Sequence, residues 1–301
     1  MPGFRTALAT TAVLLVVATT GCAGTKGVNR DAGTAGDVAF DQGLHDALPQ
    51  KVRDRGTIRL ATDPSYPPME SYGTDGRSII GFEPDLAAAL GAVLGIKVEM
   101  VAADFDSSLD ETAAGTYDGV LSAMTDTAAR EKTTDFVNYF AAGTSIIVQR
   151  GNAHGVTDLK DLCGRVVAVE KGTVQVDLLE RSQRGCGEQR MTVRTFKTNS
   201  DALLRLRTGR AVAVLSDYPT AAHLTTDQRT RSHFQLASTV QYEPGLYGLA
   251  VARDNTALRD TLRDALDLLI RSGAYGELLE RWGLASGAVK ASSINAGGSE
   301  D

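Results

Sequence analysis

The 301-residue chain carries several polar and aromatic side chains where apolar runs give way to loops, and their chemistry suits the two charges of a zwitterion. Arg130 offers a planar fork of donors that can grip a carboxylate through two bonds. Ser122 and Thr125, just before it, supply hydroxyls. Gly172 and Thr173 stand between an apolar run and a helical one, where unpaired backbone N–H groups favour an anion. Asp217 follows the apolar run 211–216 and can receive an ammonium group. Asp63 and Tyr66 lie in the proline-stiffened segment TDPSYPPME, an acid beside an aromatic platform. Singly, each has a plainer reading, since Asp, Pro and Ser form turns and a helix arginine is mostly solvated. Together they describe an anion clamp, a carboxylate and an aromatic surface.

Signatures of catalysis are missing. The sequence has no GxGxxG after a strand, no phosphate-binding loop, no GxSxG and no HExxH. His45, His154, His223 and His233 are scattered without ligand spacing. The expectation is a binding protein rather than an enzyme, with no metal or cofactor.

These residues must be held by the elements around them. A short helix is expected from Phe40 through Leu44, Leu48 and Val52. Strands are expected over 57–61, 97–102, 118–122 and 145–149, with helices over 84–94 and 107–114, and the segment 122–130 entering a helix. A second series has strands over 165–170, 191–196 and 211–215 and helices over 174–182 and 200–208. A strand over 247–252 and helices over 258–271 and 274–282 follow, and residues 286–301 read as a disordered tail. Repeated strand–helix–strand units call for mainly parallel sheets covered by helices, with ligands at the carboxyl ends of the strands. Two series of similar size predict two lobes with a cleft between them.

The runs ATDPSYPPME, GFEPDLAAALGAVLG and GTYDGVLSAMTDTAAREKTTDF, followed by LKDLCGRVVAVEKGTVQ, LRTGRAVAVLSDYPTAA and SGAYGELLERWG, resemble the family 3 extracellular solute-binding proteins. These are the polar amino-acid receptors of ABC importers. The resemblance spans residues 50–284. It implies an α/β, two-lobed periplasmic-binding-protein type II fold, each lobe a mainly parallel sheet flanked by helices. Lobe 1 would combine 51–147 with 244–285, lobe 2 would be 148–243, and the chain would cross near 147 and 243. By position, Asp63 matches the acid near the ligand side chain, Tyr66 the stacking aromatic and Phe105 the aromatic of the opposite wall. Ser122, Ala123 and Thr125 match the stretch that meets the ligand's amino and carboxylate groups. Arg130 matches the carboxylate-gripping arginine, Thr173 the second-lobe carboxylate contact and Asp217 the holder of the α-ammonium group. Ala123 stands where Ser or Gly is usual, and Glu83 where Asp is usual.

The implied function is capture of a free amino acid by hinge closure and delivery to ABC permease subunits. Asp63 favours arginine, lysine, histidine or glutamine. The rival readings are a cyclohexadienyl-dehydratase-like enzyme on the same fold and an extracellular amino-acid sensor. Net charge of −6 and a pI near 5.3 provide no basic field for nucleic acid; a monomer is expected. Residues 1–21 read as a signal peptide: Arg5 precedes the apolar run 12–18, and small residues lead to Cys22, which resembles a lipobox. Thr19 stands where that pattern usually has Leu, so cleavage without acylation is the alternative. Acylated Cys22 would anchor the chain on the outer face of the cytoplasmic membrane through a tether over 22–50 that includes the entry helix. In an exported chain the remaining pair, Cys163 and Cys186, is expected to form a disulfide.

Overall fold

Pro49 cannot donate the N–H that a continuing helix would need, so the single helix expected after Phe40 is split into α1 (Gln42–Ala47) and α2 (Gln50–Arg55). The computed structural model describes residues 1–3 and 39–297. The signal segment beyond its first three residues, Cys22 and the tether to residue 38 lie outside the described residues. Leu48 and Val52 are buried against the first core.

Apolar strands and amphipathic helices then alternate. β1 (Thr57–Thr62) enters a small side sheet of β2 (Ser65–Tyr66), β3 (Glu70–Tyr72) and β4 (Ile79–Ile80), followed by α3 (Phe82–Leu94) and β5 (Lys97–Ala102). Next come α4 (Ser108–Ala113), β6 (Gly119–Val120) and the 16-residue β7 (Thr134–Gln149). The helix expected at Arg130 is only a 3-10 turn, Arg130–Lys132, because the β-branched Thr133 and Thr134 after it favour extended backbone. The second series is β8 (Val166–Glu170), α5 (Val174–Ser182), β9 (Thr192–Phe196), α6 (Asn199–Arg207), β10 (Ala213–Asp217), α7 (Tyr218–Thr226) and β11 (Phe234–Leu236). β12 (Tyr242–Ala252), α8 (Thr256–Ser272), α9 (Ala274–Trp282) and β13 (Ala288–Ile294) complete the chain.

β1 pairs in parallel with β5 and β6, and β8 pairs in parallel with β9 and β10. The antiparallel strands β7 and β12 join both groups into one sheet, ordered β5-β1-β6-β12-β7-β10-β8-β9. The two lobes thus share a continuous sheet instead of having one each, because β7 and β12 are long enough to serve both. Along β7, Val137, Tyr139 and Phe140 pack into the core under α3 and α8, whereas Ile146 and Val148 pack into a separate core with Leu178 and Leu179 of α5. Ile147 faces the other side of the sheet with Leu203, Leu206 and Leu224, the alternation a strand requires. β12 makes the reverse change between Tyr242 and Tyr247. Residues 141–145 and 243–246 therefore link the lobes.

The expected disordered tail is corrected by the structure. Its residues lack a large apolar face, the reason it reads as disorder, yet β13 adds antiparallel to β7. Polar groups hold it: Asn295 Oδ1 accepts from the Phe136 N–H at 2.7 Å, and the Gly297 N–H donates to Asp126 Oδ2 at 2.9 Å. Cys163 and Cys186 are joined in a disulfide. Among the described residues no helix is long and apolar enough to cross a membrane.

Candidate functional site

The carboxyl ends of the parallel strands converge on one cavity between the lobes, with about 320 Å³ of space between protein atoms when the open solvent at its mouth is included. Asp63 immediately follows β1, Ser122 lies just beyond β6, Glu170 ends β8 and Asp217 ends β10. All nine residues singled out in the sequence line it: Asp63, Tyr66, Phe105, Ser122, Ala123, Thr125 and Arg130 from the first lobe, Thr173 and Asp217 from the second. Glu70, Glu170, Val174 and Gln175 line it as well and were not in that set.

On one side sits Arg130. Its guanidinium donates to the Thr125 carbonyl at 2.6 Å and, across the cleft, to the Gly172 carbonyl at 2.8 Å. It also lies 5.7 Å from the centre of the Phe105 ring, a cation–π distance. Five N–H donors leave the fork with capacity beyond these two bonds. Loss of hydration lowers its pKa to about 10, so it remains charged at neutral pH. The N-terminus of α5, with Thr173 as its N-cap, opens on the same cavity, and its first-turn amides suit an anion.

Asp217 is buried between both lobes. Its Oδ1 accepts from Gln175 Nε2 at 2.6 Å and its Oδ2 from the Tyr66 hydroxyl at 3.0 Å. Burial raises its pKa to about 6, against which those hydrogen bonds and the Arg130 charge pull down. The Tyr66 hydroxyl in turn accepts from the Asp217 N–H at 2.7 Å and from Ser216 Oγ at 2.9 Å. Tyr66, expected as a stacking platform, is thus also a latch between lobes.

Opposite lies an acidic wall. Asp63 is 5% exposed and Glu170 4%; they line the same cavity from opposite lobes, and Asp63 Oδ2 and Glu170 Oε1 have no hydrogen-bond partner. Burial raises Asp63 and, reinforced by Asp63 itself, raises Glu170 well above the usual carboxylate range. Beneath them a second acid pair holds the floor. Burial, with the neighbouring Glu83, pushes Glu70 well above the usual carboxylate range, and burial raises Glu83 as well. Glu83 accepts from the Ala123 N–H at 2.7 Å and from the Tyr139 hydroxyl. Glu70 accepts from Ser122 Oγ at 2.8 Å, which accepts from the Asp63 N–H at 2.9 Å. This chain of bonds sets Asp63, Ser122 and Ala123 in place. Ala123 adopts φ 46°, a left-handed conformation that a residue with a side chain rarely takes.

The cleft rim is closed by Lys171–Asp106 at 2.7 Å and Lys197–Asp104 at 2.9 Å, each joining the two lobes. The residues missed in the sequence had a signal. Glu170 stands at the carboxyl end of a strand, the rule that selected Asp217, and Gln175 is in the first helical turn after Thr173. Their partners across the cleft come from distant parts of the chain, which hid their role. No group of acidic, His or Cys side chains suited to a metal occurs among the described residues.

The sequence pattern of the bacterial extracellular solute-binding proteins, family 3, matches residues 58–285. The arginine-binding protein ArgT of Corynebacterium glutamicum is 28% identical over 252 residues, covering 82% of this chain and 81% of that protein. The L-cystine-binding protein TcyJ of Escherichia coli K12 is 28% identical over 239 residues, covering 79% and 86%. An ancestral arginine-binding protein solved with arginine bound superposes with a TM-score of 0.70 at 31% identity, covering 76% of this chain and 98% of that one.

Proposed function

From the premise that the chain belongs to the family 3 bacterial extracellular solute-binding proteins, we propose that it captures a free amino acid with a cationic side chain, arginine foremost, and presents it to an ABC permease. One observation carries the reading: Arg130 and Asp217, from opposite lobes, meet at one cavity whose far wall is acidic. Arg130 and the α5 N-terminus hold the α-carboxylate. Asp217, with its second-lobe supports, holds the α-ammonium, and the side chain runs toward Asp63 and Glu170 between the faces of Tyr66 and Phe105. Hinge closure completes both contacts, since neither lobe owns all of them. Relatives named for binding arginine and cystine support a receptor rather than an enzyme. Acylation at Cys22, as a monomeric anchored receptor, fits delivery at a membrane surface.

Calorimetric titration of the full chain against the common amino acids tests the proposal. Arginine should bind most tightly, lysine next and glutamine more weakly. Absence of binding by every amino acid would defeat it. Mass analysis of the mature N-terminus tests the anchor: diacylglyceryl on Cys22 is expected, and an unmodified secreted protein would remove it.

A further inference from the structure

We infer that Asp63 and Glu170 form a two-carboxyl jaw that closes on the cationic end of the ligand side chain and releases their shared proton as it does so. The inference rests on the amino-acid-receptor reading above. Asp63 follows β1 of the first lobe and Glu170 ends β8 of the second, so the jaw exists only when the lobes are together. Both residues line the cavity and are at least nine-tenths buried. Asp63 Oδ2 and Glu170 Oε1 have no hydrogen-bond donor, although buried carboxylate oxygens are seldom left so.

Two buried carboxyl groups that line one cavity and lack donors are not both ionised in a site closed to water, so they hold one proton between them. Nothing around them supplies a substitute cation. Facing the pair are Glu70, Asp104 and Asp217; of the cations nearby, Lys197 is engaged with Asp104 at 2.9 Å and Lys171 with Asp106 at 2.7 Å on the exposed rim, and Arg130 with the Thr125 and Gly172 carbonyls. A guanidinium has the donors to serve a carboxylate of each lobe. When it enters, the O–H bond between the two carboxyls breaks, the proton leaves to solvent, and both groups ionise around the guest. One positive charge replaces another, so the charge within the jaw is conserved. A neutral amide gives no such exchange and leaves the proton in place. Glu170 is thereby a specificity residue, selecting a cation over a neutral side chain.

Titrating the full chain with arginine at about pH 5, where the closed jaw holds its proton, in two buffers of different ionisation enthalpy measures the release directly. About one proton should be released per arginine, arginine affinity should fall on acidification, and glutamine should release none. Glu170→Gln should abolish the release, weaken arginine about tenfold or more and narrow its advantage over glutamine. Thermal unfolding checks that the variant is folded, and Asp63→Asn read in the same way serves if it is not. Arginine binding without proton release, equal release with glutamine, or unchanged release from Glu170→Gln would overturn the jaw and leave the receptor reading standing. Failure of every amino acid to bind would overturn both.

Discussion

In the proposed reading Arg130 and Asp217 meet the two charges of a zwitterion from opposite lobes, so truncating either would strand one ligand charge in the cavity they line. Arg130→Ala or Asp217→Ala should each weaken amino-acid binding by about 2–5 kcal/mol, on the order of 30-fold to several thousand-fold. Were both merely surface charges, the loss would stay below about 1 kcal/mol. The assignment of Asp217 to the ammonium group is checked separately with a ligand lacking its α-amino group. That analogue should bind wild type poorly, yet cost Asp217→Ala much less relative to the parent amino acid. Equal losses in both proteins would show that Asp217 does not meet the amino group. At this scale the sequence was informative wherever a strand end and a side-chain type coincided, as at Asp63, Asp217 and Thr173. It was silent on Glu70 and Glu83, because a fully buried acid pair is defined by its surroundings, and those come from a loop, a helix, Ser122 and Tyr139 together.

Elements hold these residues to their positions, and two devices outside the ligand set do so here. The Cys163–Cys186 bond, with a sequence separation of 23, encloses β8 and α5, the strand that ends in Glu170 and the helix that begins after Thr173. Its reduction should cost roughly 3 kcal/mol of stability by loss of the chain constraint on the unfolded state. A denaturant midpoint unchanged by reductant would refute that. The second device is β13 and the residues after it, which lie beyond the family match at residue 285. Asn138 Nδ2 and the Gly297 N–H both donate to the buried Asp126 Oδ2, and Ser293 Oγ and the Ala296 N–H donate to Asn138 Oδ1. Asp126 adjoins Thr125, whose carbonyl positions Arg130. A chain ending at residue 285 should lose about 1–3 kcal/mol of stability as these polar groups lose partners, and should bind its amino acid more weakly. Unchanged unfolding temperature and affinity would remove the tail from the site's support. Helices and strands with strong periodicity, α5, α8 and α9 among them, were legible in the chain with nearly their final bounds. β13 was not, because its order comes from polar side chains pairing with a strand more than 140 residues earlier.

Across the whole molecule, closure gathers carboxyl groups that water would otherwise keep apart. Asp217 shows the sign. Its pKa rises from 3.8 to about 6 on burial between the lobes, so the closed form binds its proton more tightly than an open form that exposes it. That contribution to closure is present in full below about pH 4 and is lost as pH rises through about 6. At about 1.4 kcal/mol per pH unit, the span from 3.8 to about 6 corresponds to about 3 kcal/mol. Asp63 and Glu170 are raised by the same burial and act in the same direction. Acid should therefore close the protein in the absence of amino acid, and neutral pH should open it. If arginine is the ligand as proposed, its ammonium and guanidinium replace the lost protons, so a saturated protein should stay closed at both. Small-angle scattering of the chain without amino acid should show the radius of gyration falling between about pH 7.5 and about pH 5, with no change when arginine is saturating. Gly172→Ala supplies the control. A Cβ there would lie 2.6 Å from Asp106 Oδ1 and 3.0 Å from Asp106 Cα, at a φ of 78°, so the lobes could not meet as they do around Arg130. This variant should remain extended at both pH values and bind arginine weakly. A radius of gyration insensitive to pH in wild type, or normal closure by Gly172→Ala, would mean that proximity of these carboxyl groups does not govern the hinge.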